Sequence, residues 1–585
     1  MNANTSIRSG HEVARRLSPT RIALLLALAY APQMAAAAEE SQGTLEAVEV
    51  TASPVGESYT STVSVGGKEA VKPREIANSV SVITEQRIQD QNLKTVSEAL
   101  EYATGVTVTA NEDQTSQFRA RGHYLGVSYD GIPNGTIQGV QQLDLPIYEQ
   151  VEILRGPAGV FAGTETYGAG LGGTVNLVRK RARNVFGVSG SAGVGSWANY
   201  RGEVDVTGPL NEAKTVRGRA VFSAQDRDYF YDRTHTRKLL GYATLDFDIT
   251  PSTTVSLAFT SQNDDTDAMY FGLPAEAATG RLLKGSRSAN PAPRWNESTW
   301  ETQDYIAELE HRFDNQWTAK IKLNHRDQNA SADYAFVSSA LSATNTVSYR
   351  YQRYDVDYRR DAVDVFLSGP FRLLGREHRA LVGYNWYKAI ERADYSYGPT
   401  VTGLPFGGPV PQIRDPYNND TGWLDETRQS GYYGQLRLSV TEPLTVIVGG
   451  RFSDYSNRTR DASPSPRGDW VQYGKENDHF TPYAGVIYDL NRNYSVYASY
   501  ADLFVPQYAR KADGSMLDPR EGRQAEVGIK GEFFDGRLQA SAAYFNLRDT
   551  NRPYADPDNP GFYLNQGEVE SKGWELEVSG SPAPG

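Results

Sequence analysis

Very few side chains in this sequence could take part in covalent chemistry. The chain holds no cysteine and only seven histidines, and the histidines are not paired at the spacing a metal site needs. There is no H-E-x-x-H, no G-x-S-x-G and no phosphate-cradling P-loop, so neither a nucleophile with its base nor a metal-activated water can be nominated. One glycine pattern has a suggestive spacing. Gly168, Gly170 and Gly173 satisfy G-x-G-x-x-G, the dinucleotide fingerprint, which needs a strand before it and a helix after it. Residues 174–178 are β-branched and read as a strand, so the glycines are assigned to tight turns and close backbone packing. No protein cofactor is expected. The chain reads as one that binds and positions, not one that catalyses.

The elements available for positioning are strands. Tyrosine, phenylalanine and tryptophan make up 11% of residues, with 36 tyrosines and 54 glycines, while the mean hydropathy is only -0.54; that profile suits strands and turns. A net charge of -12 argues against a nucleic-acid partner, which wants a basic face. Arg15, Arg16 and Arg21 precede an apolar run at 22–30, and Ala36 and Ala38 form a cleavage signal before Glu39. Residues 1–38 therefore read as an export signal. Nine apolar residues fall well short of the roughly twenty a spanning helix requires. A mature chain that enters a membrane would do so as a β-barrel; the alternative is a soluble periplasmic protein.

From about residue 185 to 581 one unit recurs: period-two alternation, then a turn or loop. Leu245, Phe247 and Ile249 alternate with Thr244, Asp246 and Asp248, and Trp574, Leu576 and Val578 with Glu575, Glu577 and Ser579. Alternation alone fits a sandwich as well. The connections separate the two. Sixteen strands are predicted, with tight gaps at 250–253, 314–317, 441–444, 491–494 and 535–536. Between these fall long segments at 266–298, 394–425, 456–476, 505–521 and 551–568. Short turns alternating with long loops mark an outer-membrane barrel. Ahead of it, residues 73–183 look like a compact α+β domain, with a helix predicted over 83–103 that Gly105 ends, and short strands at 106–109 and 151–154. The predicted division is 1–38 signal, 39–72 leader, 73–183 plug and 184–585 barrel.

Several motifs carry a family resemblance. Glu46, Ala47, Val48, Glu49, Val50 and Thr51 form an extended, β-prone hexamer that could pair with a partner's open sheet edge. Further on come Ser79 to Thr84, then Phe118-Arg119-Ala120-Arg121-Gly122 and Tyr129-Asp130-Gly131-Ile132-Pro133. Val151 to Pro157, which includes Arg155 and Gly156, and a closing Gly172-Gly173-Thr174-Val175-Asn176 complete the series. In this order the blocks resemble the plug of TonB-dependent outer-membrane receptors of the ferric-siderophore type, and the hexamer resembles their TonB box. The resemblance implies a plug inside a transmembrane antiparallel barrel of about 22 strands, energised through TonB with ExbB and ExbD. It further implies Arg121 and Arg155 among plug and barrel carboxylates, iron carried within the ligand, and an environment of outer-membrane lipid and lipopolysaccharide.

By the same resemblance the ligand-contact candidates are Tyr124 on the plug, Tyr270, Phe271 and Trp295 in the third loop, and Tyr395, Tyr397, Arg414, Tyr417 and Trp423 in the fifth. Aromatic side chains give a planar apolar face, and Tyr and Trp add a donor, which suits a chelate with an organic skin; membrane girdles use the same residues. The apex after Pro133 carries no arginine or tryptophan, leaving the ligand's type open. The FRAP and NPNL sequences of haem receptors are absent, and only residues 39–45 separate the signal from the hexamer, too few for a signalling domain. Cobalamin, haem, and a passive porin or adhesin barrel stand as alternatives. About six further strands are expected beyond residue 585.

Overall fold

The computed structural model describes residues 59–111, 115–134, 141–164, 170–413, 418–463 and 468–581. The export signal and the 46–51 hexamer lie outside the described residues. The glycine-broken runs of the N-terminal third form strands β1 (Val80–Thr84), β2 (Val106–Ala110), β3 (Ser116–Ala120), β4 (His123–Tyr129), β5 (Ile132–Pro133), β6 (Tyr148–Arg155) and β7 (Gly173–Arg179). They make one sheet in the order β1-β6-β7-β4-β3-β2, with β5 added to β4. The helix predicted over 83–103 is instead strand β1 followed by two short helices, α1 (Glu85–Asp90) and α2 (Val96–Glu101). The chain turns at Asn92, φ +53°, and restarts at Thr95, whose side chain and that of Glu98 form a reciprocal capping box. Ile88, Val96 and Leu100 still reach one core with Phe118, Val127, Val151 and Val175, which is why their spacing imitates a single helix.

Two hairpins in this sheet explain the motif glycines. Arg121 and Gly122 have φ of +53° and +80°, and Asp130 and Gly131 +50° and +78°; each pair is the two-residue turn joining β3 to β4 and β4 to β5. Such turns match strand twist only when both residues are left-handed, hence glycine at the second place.

Sixteen further strands, from Gly187–Gly195 to Tyr563–Gly580, form a second, wholly antiparallel sheet in strict sequence order. Among the described residues its first and last strands do not pair with each other. Period-two alternation sorts its faces: Asp304, Asn324, Arg326, Arg360 and Asp364 are buried on one side, while Leu309, Ile321, Leu323, Val365 and Leu367 are exposed on the other. The predicted tight turns are present, as between His235–Thr250 and Thr253–Asp267. The predicted long connections at 266–298 and 505–521 are present, between Asp267 and Glu297 and between Val505 and Arg520, whereas others are shorter than expected. Arg376–Pro405 spans 30 residues and pairs with Asn418–Ser439, so most of 394–425 is strand. Likewise Leu444–Ser463 and Val471–Asp489 absorb most of 456–476. A polar segment need not leave the ladder when its neighbour continues alongside to satisfy its backbone.

Candidate functional site

The small sheet contacts the inner face of the large one, and two arginines of the predicted motifs are at the contact. Arg121, lifted by its hairpin, donates to both oxygens of Glu575 at 3.0 and 2.7 Å and to Glu526 at 2.7 Å, with Phe545 beneath it at 4.1 Å. Burial opposes its charge, but Glu575 and Glu526 outweigh that and hold it charged. Arg155, at the end of β6, bonds Thr104 O at 2.6 Å and Glu577 at 3.0 Å. Gly156 (φ +89°) lies where a side chain would enter Gln524, and Gly172 where one would enter the His123 carbonyl. Gly173 begins β7, whose partner across the sheet is β6.

The Asp130-Gly131 turn joins three parts of the molecule. Arg179 donates to Asp130 at 2.8 Å and to Asp304 at 3.1 Å, and Arg326 donates to Asp304 at 2.9 Å while lying 3.7 Å over Tyr129. Burial would raise the Asp130 carboxyl, but Arg179, Arg181 and Lys322 outweigh it and hold it low. On the other flank runs the segment 59–78, which we call the strap. Lys68 of the strap donates to Gly131 O at 2.6 Å and to Asp364 at 2.9 Å, and Tyr433 donates to the same carboxylate at 2.7 Å. Burial pushes the Lys68 ammonium down, with Asp364 opposing. Gly131 N also donates to Asn176 at 2.7 Å, and Asn176 to Glu152 at 2.9 Å, which accepts Ser64 N of the strap at 3.0 Å. Burial raises the Glu152 carboxyl more than these uncharged donors lower it. The strap and the turn leading to the apex thus share one buried hydrogen-bond network.

Just beyond this turn Arg360 donates to Pro133 O, and Tyr358 to Asn134 O at 3.4 Å; residues 135–140 lie outside the described residues. Farther from the tight turns, the inner face becomes aromatic. Tyr334, Tyr354, Tyr395 and Trp423 keep the parity of Arg326, Arg360, Asn385 and Gln429 on their strands, all of which touch the plug. Tyr395 stacks on Trp423 at 5.1 Å and leans on Tyr354 at 5.8 Å. Tyr354 meets Tyr334 at 6.1 Å, and Tyr334 stacks on Phe271 at 5.0 Å. Phe271, Tyr354, Tyr395 and Trp423 are half-buried, so part of each ring remains open. This arc is a flat, apolar and hydroxyl-bearing wall above the plug, able to hold a planar ligand by stacking and hydrogen bonds.

The structure therefore brings together three of the predicted contacts, Phe271, Tyr395 and Trp423. Tyr270 belongs to a neighbouring stack on Tyr231 at 4.7 Å, and Tyr397 carries Arg350 at 4.9 Å. Tyr124 is covered by Arg119 at 4.2 Å. Trp295 is set apart: it stacks on the buried Tyr351 and donates to Val410 O at 3.0 Å within a loop core. Arg414 and Tyr417 lie outside the described residues. Tyr334 and Tyr354 join the arc without a sequence signal of their own, since only strand register reveals them. Among the described residues no group of His, Asp and Glu could hold a metal ion.

Comparison with known proteins agrees with this architecture. Residues 72–170 match the TonB-dependent Receptor Plug Domain, and residues 258–581 the TonB dependent receptor-like, beta-barrel. The ferripyoverdine receptor of Pseudomonas aeruginosa is 35% identical over 564 residues, covering 90% of this chain and 66% of that protein. The ferric-pyoverdine 358 receptor of Pseudomonas putida is 32% identical, covering 94% and 70%. The chain thus spans about two thirds of the length of these curated relatives. The crystal structure of the outer-membrane ferripyoverdine receptor of P. aeruginosa bound to ferripyoverdine superposes with a TM-score of 0.82 at 33% identity, covering 91% of this chain and 72% of that one. These relatives are receptors, not enzymes. With its plug, its barrel-type sheet and its outward apolar face, the chain belongs to the TonB-dependent receptor family of the outer membrane.

Proposed function

We propose that the protein takes up a ferric siderophore of the pyoverdine class, bound by the aromatic arc over the plug and moved by force delivered to the 46–51 hexamer. The arc carries the reading: rings from four barrel strands and one loop line the inner wall directly above the turn that the strap and barrel both grip. Pyoverdine is the chelate named for relatives at 35% and 32% identity. The iron would arrive as part of the ligand, so the protein itself needs no cofactor. TonB with ExbB and ExbD is the proposed energy source, because the outer membrane offers no ATP. Cobalamin, haem or passive diffusion are the competing readings. Passive diffusion is disfavoured by a plug held by buried ion pairs on the inner wall.

Val48→Pro removes a backbone donor from the proposed strand pairing. Cells carrying it should still bind ferric pyoverdine at the surface while radio-iron uptake stops. Ferric pyoverdine should quench the fluorescence of wild type and less so of Trp423→Phe. Continued uptake in the proline variant, or quenching by cobalamin or haem alone, would refute the proposal.

A further inference from the structure

Between the plug and the aromatic arc the inner wall carries acids that no neighbouring base neutralises. Glu391 lies two residues from Ala389, which packs with Ile132 of the plug, and four from Tyr395 of the arc. Asp425 lies four residues from Gln429, which accepts Thr164 N of the plug at 2.8 Å, and two from Trp423 of the arc. Even spacing along an unbroken ladder puts both side chains on the inner face. There the two stand directly opposite each other, with Tyr358 across from Glu391 and Thr459 across from Asp425. Side chains so placed are roughly 5 Å apart at Cβ.

The acids extend beyond this pair. Asp461 stands across from Trp423, and Glu476 across from Tyr455. On the strands from Thr346–Leu373 to Leu444–Ser463, the charged residues of the inner face between the plug contacts and the rings are Glu391, Asp425 and Asp461. The arginines on either side are engaged elsewhere: Arg360 with Pro133 O and Asn324, Arg451 with Asn385 and Ser453, and Arg350 over the Tyr397 ring. The bases interleaved with the acids along these strands face outward, where Lys388, Arg428 and Arg458 share Glu426, and Arg392 pairs with Asp394. Among the described residues neither Glu391 nor Asp425 has a cationic partner.

Such an arrangement costs stability. Like charges directly opposite each other in a sheet repel, and both carboxylates are half-buried. The Oδ1 of Asp425 is buried with no hydrogen-bond partner, a penalty folded proteins mostly avoid. A local rule broken in an otherwise consistent structure is expected at functional sites. A donor with positive charge, brought in with the ligand, would relieve the repulsion and satisfy the orphan oxygen together. Rings flank the place it would take: Tyr358 stands beside Glu391, and Trp423, stacked on Tyr395, is its diagonal neighbour across the ladder. Their faces attract a cation. The plug offers no charge of its own here, since residues 134–142 are all uncharged.

We infer that Glu391 and Asp425 select a chelate bearing an organic cation, a protonated amine or guanidinium, and seat that cation between their carboxylates while the arc stacks the chelate's planar part. The acids thereby set the charge specificity of the site: a neutral or anionic chelate of the same shape meets negative charge that it cannot offset. The inference rests on the arc being the binding site and adds the charge of what binds there.

The test is tryptophan quenching of the full chain in micelles by a ferric pyoverdine with a free amine on its peptide, and by the same chelate after N-acetylation. Wild type should bind the amine-bearing form at least about tenfold tighter, and sodium chloride should weaken that form alone. Glu391→Gln combined with Asp425→Asn should abolish the preference by weakening the amine-bearing form, while the denaturant midpoint holds or rises. Asp357→Asn, an acid on the outward face, should change neither. Equal binding of the two forms by wild type would overturn the inference and leave the arc standing as a site, whereas absence of quenching by both would overturn both readings. A double variant that lost both forms equally and had a lowered midpoint would make the acids structural, and tightening of both forms by calcium would assign them to a metal ion; either result overturns the inference. The two chelates can be compared on wild type alone, so a double variant that failed to fold would leave that preference to decide.

Discussion

The plug is held differently by two sides of the wall. Against the strands from Asn199–Pro209 to Thr318–Val337 it is fused: Val221, Leu240 and Tyr242 join the plug core, and Arg179, Arg181, Lys180 and Arg326 pair there with Asp304, Glu308 and Asp205. Against the strands from Thr346–Leu373 to Tyr494–Val505 the strap packs only in part, through Ala77 on Ile447, Ile487 and Tyr497, and cavities interrupt the contact, one lined by Gly66, Gly67, Ile76, Leu381, Gln435 and Tyr483, another by Val65, Pro157, Phe161 and Pro482. Single polar stitches cross this side, among them Lys68 to Asp364 and Glu69 to Arg379. Close packing resists displacement because every moved atom opens a void, whereas a stitched, loosely filled seam can part after a few bonds. One domain is therefore anchored on one flank and releasable on the other.

The sharpest break of the contrast is Asp304→Ala. It leaves Arg326 without a carboxylate and Arg179 with Asp130 alone, both arginines being at most 2% exposed as side chains, and should destabilise the protein by about 3–5 kcal/mol, read from the denaturant midpoint in micelles. A shift no larger than that of a surface substitution would show that the fused flank is not held by charge. A smaller effect is expected at the seam. Because the chain has no cysteine, Val63→Cys, at a fully buried position of the strap, gives a single thiol reporter. Lys68→Met should raise its labelling rate about tenfold while the denaturant midpoint stays close to wild type, and Arg181→Gln should not alter labelling.

The smallest effect concerns pH, where the two flanks should have opposite signs. Asp130 is held below its ordinary 3.8, so its stabilisation is present above that value and is lost as pH falls through the lowered pKa. Glu152 is raised above its ordinary 4.5, so its contribution is full below that value and is lost as pH rises through the raised pKa. Asp130→Asn should flatten the acid-side loss and Glu152→Gln the loss on raising pH, each by at most about 1.4 kcal/mol per pH unit. Parallel slopes in wild type and variant would remove these groups from the account.

What the sequence made legible was whatever repeats along a single strand. Alternation at Leu245, Phe247 and Ile249 reports one face of one strand directly, and the pairs Arg121-Gly122 and Asp130-Gly131 announce turns by composition. Features set by distant segments were not legible. Tyr334 and Tyr354 enter the aromatic arc through registers fixed between strands. Trp295 leaves it because Tyr351 and Val410, both far along the chain, complete a core around it. The break between α1 and α2 escaped because Ile88 and Val96 face the same core from two helices, so hydrophobic spacing carried no sign of the turn at Asn92.

The strands that outrun the membrane have a consequence for how this protein can change over time. Thr346–Leu373 and Arg376–Pro405, of 28 and 30 residues, stay paired from Leu373 and Arg376 to Thr346 and Pro405, far beyond the roughly 9–11 residues a crossing takes, so their outer portions stand as ladders with short tips. One residue inserted within such a ladder turns every later side chain to the opposite face, sending rings of the arc outward and charges inward. An insertion at a tip disturbs no pairing. Variation that survives selection should therefore gather at the tips, where strangers such as phages and antibodies meet the cell, while the ladders beneath keep their spelling.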